Sequence, residues 1–191
     1  MPQRDQGRAQ FRPVVGEDEI RARVAELAAA ISRDHPADEP LVVVAVMKGA
    51  IVFLADLVRR LQMPLEIELL RASSYDGDRR REVEILDDAA RLDLRGRHVL
   101  LLDTVLDSGH TLSAVRSAVL AAGPARLSTC VLLSKRRPRA MPIEPEYVGM
   151  EIPDVFVVGY GLDYGNRWRH LPYVAEMAMP DGDAREAAHG R

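Results

Sequence analysis

Two carboxylates, Asp103 and Asp107, lie four residues apart at the end of the apolar run His98 to Leu102, and Ser108, Gly109, His110 and Thr111 follow at once. That order of residue types suits the binding of a phosphorylated sugar. A carboxylate accepts hydrogen bonds from sugar hydroxyls or holds a divalent cation. Glycine frees the backbone to turn, and the N–H groups at the start of a following helix favour a phosphate. The same residues also serve an ordinary strand-to-helix turn in which Asp, Ser and Thr merely cap the helix.

Three other stretches add to the turn. Met47-Lys48-Gly49-Ala50 follows a β-branched run and precedes a helical pattern, so a flexible turn, a lysine and a helix start coincide. Lys135 closes the apolar run 129–133 at its carboxyl end, the edge where open α/β sheets bind ligands. The segment from Val155 to Pro172 concentrates Phe156, Gly159, Gly161, Asp163 and Arg167-Trp168-Arg169. A ring that can stack and a lysine that can donate suit a planar heterocycle. A lone aspartate suits Mg²⁺, which takes its other ligands from phosphate oxygens and water. Each has a plain alternative: Lys48 as an exposed turn lysine, Phe156 as core, Asp163 as a turn residue, and most of Arg136 to Arg139 as a solvated charge run.

These residues need a scaffold that gathers strand ends. Apolar runs alternate with amphipathic stretches, the mark of parallel β/α units. Strands are predicted at 41–46, 65–70, 99–102, 129–133 and 155–158. Ile20, Val24, Leu27 and Ile31 set a helix near 17–33, and Ile51, Leu54, Val58 and Leu61 one near 50–61. Leu112, Val115 and Val119 stripe a third near 110–122, closed by Gly123-Pro124. Residues 71–97 break the rhythm, and polar Ser73 to Arg81 reads either as a binding loop or as a solvated hairpin. Residues 1–12 and 181–191 read as mobile tails.

The 191 residues are 47% hydrophobic and 29% charged with a net charge of -3, a balance that fits one globular domain and offers no basic face for nucleic acid. The single cysteine, Cys130, excludes an intrachain disulfide and reads as a buried strand residue. No apolar run approaches the roughly 18 residues needed to span a bilayer. Nor does the N-terminus carry the apolar core of a signal peptide. A soluble, cytoplasmic protein is expected.

Taken together, Val46-Met-Lys-Gly49, Ser73-Ser-Tyr75, Leu94-Arg-Gly-Arg-His-Val-Leu100, Asp107-Ser-Gly-His-Thr111, Tyr147-Val-Gly-Met-Glu-Ile-Pro-Asp154 and Phe156-Val-Val-Gly-Tyr-Gly-Leu-Asp-Tyr164 carry a resemblance. The chain resembles the hypoxanthine-guanine type of purine phosphoribosyltransferase over about residues 14–175. That resemblance implies an α/β fold. Its core would hold about five mainly parallel strands with helices on both faces, over about residues 14–134. A small hood, from the N-terminal segment and about 135–180, would cover its carboxyl edge. The implied reaction moves 5-phosphoribose from phosphoribosyl pyrophosphate (PRPP) to hypoxanthine or guanine, giving IMP or GMP and pyrophosphate.

The resemblance also implies roles. Asp107 would be the catalytic base beside the purine N7. Asp107, Ser108, Gly109, His110 and Thr111 would surround the 5′-phosphate, and Asp103 with Thr104 would face the ribose. Lys48, Gly49 and Arg169 would hold the pyrophosphate, and Ser74 and Tyr75 would head a lid over PRPP. Lys135 would donate to the 6-oxo group, Phe156 would stack on the base, and the Val157 carbonyl would accept from its edge. Asp163, beside the base, would bind Mg²⁺, with Asp103 as a second metal ligand. The Met47–Lys48 peptide would be cis. The implied partners are PRPP and a purine base, in a homodimer or homotetramer without nucleic acid or membrane.

Two features depart from the family. Its members carry an adjacent Glu-Asp pair where this chain has Asp103-Thr104, so one negative charge is missing beside the ribose. Restoring it with Thr104→Asp is expected to tighten PRPP binding. The arginine-rich Asp76-Gly-Asp-Arg-Arg-Arg81 stands where a Ser/Thr/Gly-rich lid is usual. Two other readings stay open. One is a catalytically weak or inactive PRPP- or nucleotide-binding regulator of the same fold. The other is a phosphoryl-transfer or hydrolase site on Asp103 and Asp107, for which a Walker lysine is missing.

Overall fold

An unbroken β-branched run has no polar face to show to water, so a strand made from it must be covered on both sides. In the computed structural model, which describes residues 11–77, 80–85, 87 and 89–178, that strand is β2, Leu41–Met47, buried from Leu41 through Val46. Around it lie β3 (Leu65–Gly77), β5 (His98–Leu106), β6 (Arg126–Lys135) and β7 (Tyr147–Ile152), with β4 (Arg80–Ile85) at one edge. The sheet order is β4-β3-β2-β5-β6-β7. All neighbours are parallel except β3 and β4. The core is thus five parallel strands, as expected.

Side-chain alternation divides the core into two layers. Val43, Ala45, Leu100, Leu102, Cys130 and Leu132 join the apolar stripes of α1 (Glu17–Asp34) and α2 (Ile51–Val58). Val42, Val44, Val46, Leu101 and Val131 pack with Leu112, Val115 and Val119 of α3 (His110–Ala121). Cys130 lies fully inside, and burial pushes its thiol pKa up, out of the reactive range. The remaining strands, β1 (Phe11–Val15), β8 (Val157–Val158) and β9 (Val174–Met177), form a separate antiparallel sheet in the order β1-β9-β8. Among the described residues no helix is long and apolar enough to cross a membrane.

Several boundaries differ from the sequence reading. The fifth core strand is Tyr147–Ile152, whereas 155–158 contributes only Val157–Val158, and to the small sheet. Gly149 and the exposed Glu151 hid the core strand, because neither fits an apolar run. Residues 71–97 begin with a continuation of β3, which pairs Ala72 with Ile85 and Gly77 with Arg80. This is the hairpin alternative. The second helix ends at Val58 rather than 61, because Arg59 and Arg60 turn on carbonyls of the last turn. The tails lie outside the described residues, except that Phe11 and Arg12 belong to β1.

Gly149 marks a tight contact between β6 and β7. A Cβ there would stand 2.3 Å from the Leu132 carbonyl oxygen, so β6 and β7 could keep their spacing only by backbone movement. Overpacking of this kind costs about 1–3 kcal/mol. Gly149→Ala is expected to lower the thermal unfolding midpoint by roughly 2–4 °C per kcal/mol, read by calorimetry or circular dichroism.

Candidate active site

Parallel strands end on one side, so β2, β5 and β6 deliver their following residues to a common edge. Met47–Lys48, the junction after β2, is a cis peptide, and Lys48 is exposed beyond it. β5 runs farther than its apolar stretch: Asp103 and Thr104 are strand residues, and the loop begins only at Asp107. Thr104 is completely buried, and its hydroxyl donates to the Gly49 carbonyl at 3.0 Å. Its amide donates to Asp103 Oδ1 at 2.7 Å, which turns that carboxylate back onto its own chain.

The Gly49 carbonyl is also approached closely by the turn after β8. Gly161 has φ +94°, and a Cβ on it would lie 2.3 Å from the Gly49 oxygen. Only glycine fits both the conformation and the approach. Next to it Tyr160 is buried with φ 49°, and its hydroxyl donates to Asp56 Oδ2 at 2.7 Å. Burial, then that hydrogen bond, raises the Tyr160 pKa far above the ordinary phenol value. Arg169 donates to the Gly161 carbonyl at 2.7 Å and pairs with Asp163 at 2.6 Å. Asp163 is also held by the Asn166 amide at 2.7 Å.

At the other side of the edge, Asp107 is gripped by two cations. Lys135 Nζ stands 2.6 Å from its Oδ2, and an Arg137 guanidinium nitrogen 2.9 Å from its Oδ1. The same Arg137 nitrogen reaches Asp154 at 3.4 Å, and Lys135 reaches it at 4.0 Å. Lys135 is only 6% exposed, so its charge needs these partners. Gly109, with φ +87°, caps α3, and the Ser108 carbonyl accepts from the amides of Ala140 and Met141. A glycine cap supplies no side-chain acceptor, which leaves the first-turn N–H groups at His110 and Thr111 suited to an anion. Phe156 makes an edge contact with Tyr164 at 5.8 Å, and Val157 is buried in β8.

The structure thus connects Gly49, Thr104, Gly161, Arg169 and Asp163 in one chain of contacts, and Asp107, Lys135, Arg137 and Asp154 in another. Ser74 and Tyr75 lie on β3, paired in register with Val83 and Glu82, and their side chains fall outside the description. Arg139 is not solvated, since it donates to Ser134 and to the Ile143 carbonyl. Arg137 and Asp154 were missed. Arg137 was lost in a charge run, and Asp154 carried no signal beyond its motif.

The phosphoribosyl transferase domain family matches residues 16–165. This chain belongs to that family. Its similarity to the hypoxanthine phosphoribosyltransferase of Salmonella typhimurium is 42% identity, covering 88% of this chain and 96% of that one. A hypoxanthine-guanine phosphoribosyltransferase of Aquifex aeolicus is 41% identical, with 83% and 89% covered. A solved Bacillus anthracis hypoxanthine-guanine phosphoribosyltransferase superposes with a TM-score of 0.83 at 35% identity, covering 90% of this chain and 100% of that one.

For a phosphoribosyltransferase, two arrangements matter chemically. Among the described residues no group of three or more His, Cys, Asp or Glu side chains converges on a point. Asp103 and Asp163 belong to no such group, and Mg²⁺ needs none, since it keeps waters and substrate phosphates as most of its ligands. Thr104 donates its hydroxyl to the protein, which sets a folding cost against its acidic replacement. A carboxylate at that position would be buried against the Gly49 carbonyl, acceptor facing acceptor. Thr104→Asp is therefore expected to destabilise the fold by about 2–3 kcal/mol, not to tighten PRPP binding. Denaturant unfolding alongside PRPP titration separates the two outcomes.

Proposed function

We propose that this phosphoribosyltransferase transfers 5-phosphoribose from PRPP to a 6-oxopurine, hypoxanthine or guanine, and releases pyrophosphate. The observation that carries the reading is the pair of buried Lys135 with partly exposed Asp107. A 6-oxopurine presents an acceptor, the C6 carbonyl, beside a donor, the N7–H, on one edge. A lysine donor beside an aspartate acceptor is complementary to that edge. Adenine presents an amino group to the lysine, donor against donor, and is disfavoured.

In the reaction N9 attacks C1′ of the ribose, the C1′–O bond breaks, and its electron pair leaves with pyrophosphate. Asp107 takes the N7 proton as the base becomes a nucleotide. Lys135 holds the 6-oxo oxygen, the Val157 carbonyl accepts from the far edge of the ring, and Phe156 stacks on its face. Residues 107–111 hold the 5′-phosphate at the start of α3, and Lys48, Gly49 and Arg169 hold the pyrophosphate. Ser74 and Tyr75 close over PRPP, and Asp103 accepts from the ribose. Thr104 serves the site through the Gly49 carbonyl. Asp163 and Asp103 would hold Mg²⁺, which supplies positive charge to the pyrophosphate as it departs. The same reading extends to a cytoplasmic homodimer or homotetramer.

Pyrophosphate release with PRPP, Mg²⁺ and each base in turn tests the reading. Hypoxanthine or guanine is expected to exceed adenine by at least about 100-fold. Asp107→Asn is expected to slow turnover by roughly 10²–10⁴-fold while the circular dichroism spectrum is retained. Protein that binds nucleotide yet releases no pyrophosphate with any base would instead be a nucleotide-sensing regulator.

A further inference from the structure

Arg137 is surface-exposed by residue type and position, yet its guanidinium bridges two carboxylates, at 2.9 Å from Asp107 and 3.4 Å from Asp154. Lys135 contacts the same two carboxylates, at 2.6 Å and 4.0 Å. The two cations divide Asp107 between them: Lys135 takes Oδ2 and Arg137 takes Oδ1. Their surroundings differ. The Lys135 side chain is 5% exposed and that of Arg137 is 37% exposed, so one lies inside the site and the other on its rim.

On the reading proposed above, an entering purine shifts the balance of Lys135's partners. An ammonium has three N–H donors, so Lys135 can reach the 6-oxo oxygen while its 2.6 Å bond to Asp107 Oδ2 is stretched. A carboxylate whose cation draws away loses part of its compensation, and that is costly. Arg137 limits the loss. Its charge is permanent, and its guanidinium nitrogen stays on Oδ1 when Lys135 turns to the base. We propose that Arg137 is a positioning residue that keeps Asp107 anchored while Lys135 exchanges partners, and so sets affinity for the base without affecting affinity for the sugar phosphate. Asp154 completes the device by sharing the same Arg137 nitrogen, at 3.4 Å.

The proposal rests on the purine reading, and the test separates the two. GMP carries the base and ribose 5-phosphate does not, so calorimetric affinities for both are measured in wild type, Arg137→Met and Arg137→Lys. Arg137→Met is expected to weaken GMP binding by about tenfold, the scale of one partly exposed charge-assisted hydrogen bond. Ribose 5-phosphate is expected to stay within about twofold, because it calls for no partner exchange. Arg137→Lys restores most of the GMP affinity, which a general packing defect would not predict. Equal weakening of both ligands, or no change in either, overturns the proposal. Wild type that binds GMP but releases no pyrophosphate from PRPP and guanine defeats the transferase reading, while the GMP contrast still decides the role of Arg137. Wild type that binds ribose 5-phosphate but not GMP defeats both.

Discussion

The carbonyl of Gly49 ties the two sheets of the molecule to one another and to the site between them. On one side it accepts the buried hydroxyl of Thr104, from the middle of the core sheet. On the other it is pressed by Gly161, where no side chain would fit. Arg169 grips the carbonyl of that same Gly161 and pairs with Asp163. A shift of the turn after β2 would therefore be felt at Asp163, which lies just beyond Gly161 in the chain and is held by the Arg169 side chain. Tyr160 adds a second tie through Asp56 on α2. Placement of this site is thus a matter of backbone contact, which is stiffer than contact between long side chains.

Several charges of the site are paired within the protein. Asp107 has Lys135 and Arg137, and Asp163 has Arg169. Buried charges demand such pairing, since isolated ones would cost several kcal/mol each. On the proposed reading, substrates compete with these pairs instead of filling bare charges. Affinity then depends on what each displaced carboxylate finds next. Cations that remain after the exchange are as important to it as the groups that touch substrate.

Much of this was legible in the sequence. Periodicity located all three helices and four of the five parallel strands, because buried strands are continuously apolar and helices carry stripes at 3.6-residue spacing. β7 escaped because a glycine required by the Leu132 carbonyl and an exposed glutamate interrupt its pattern. The ends of β5 and β3 were placed too early for a related reason. Polar residues such as Asp103, Thr104 and Ser73 look like loop residues, but a strand that reaches a binding edge must carry polar groups there. The turn 107–111, Lys135 and Asp163 stood out by type. Arg137 did not, because a cation in a run of arginines gives no hint of which one turns inward.

The replacement at position 104 illustrates how charge and structure trade at one position. An aspartate in a pair of acids offers charge to a ribose and acceptors to its hydroxyls. A threonine offers a donor, and a donor facing the Gly49 turn must meet a carbonyl. The structure contains that pairing, with the hydroxyl wholly inside and saturated. One fewer buried negative charge spares the desolvation that a second carboxylate beside Asp103 would suffer, and spares their mutual repulsion. What is lost is attraction for a divalent cation on the ribose side, where Asp103 alone remains and already accepts from a backbone amide. The position thus exchanges a charge for a fixed contact between β5 and the turn after β2.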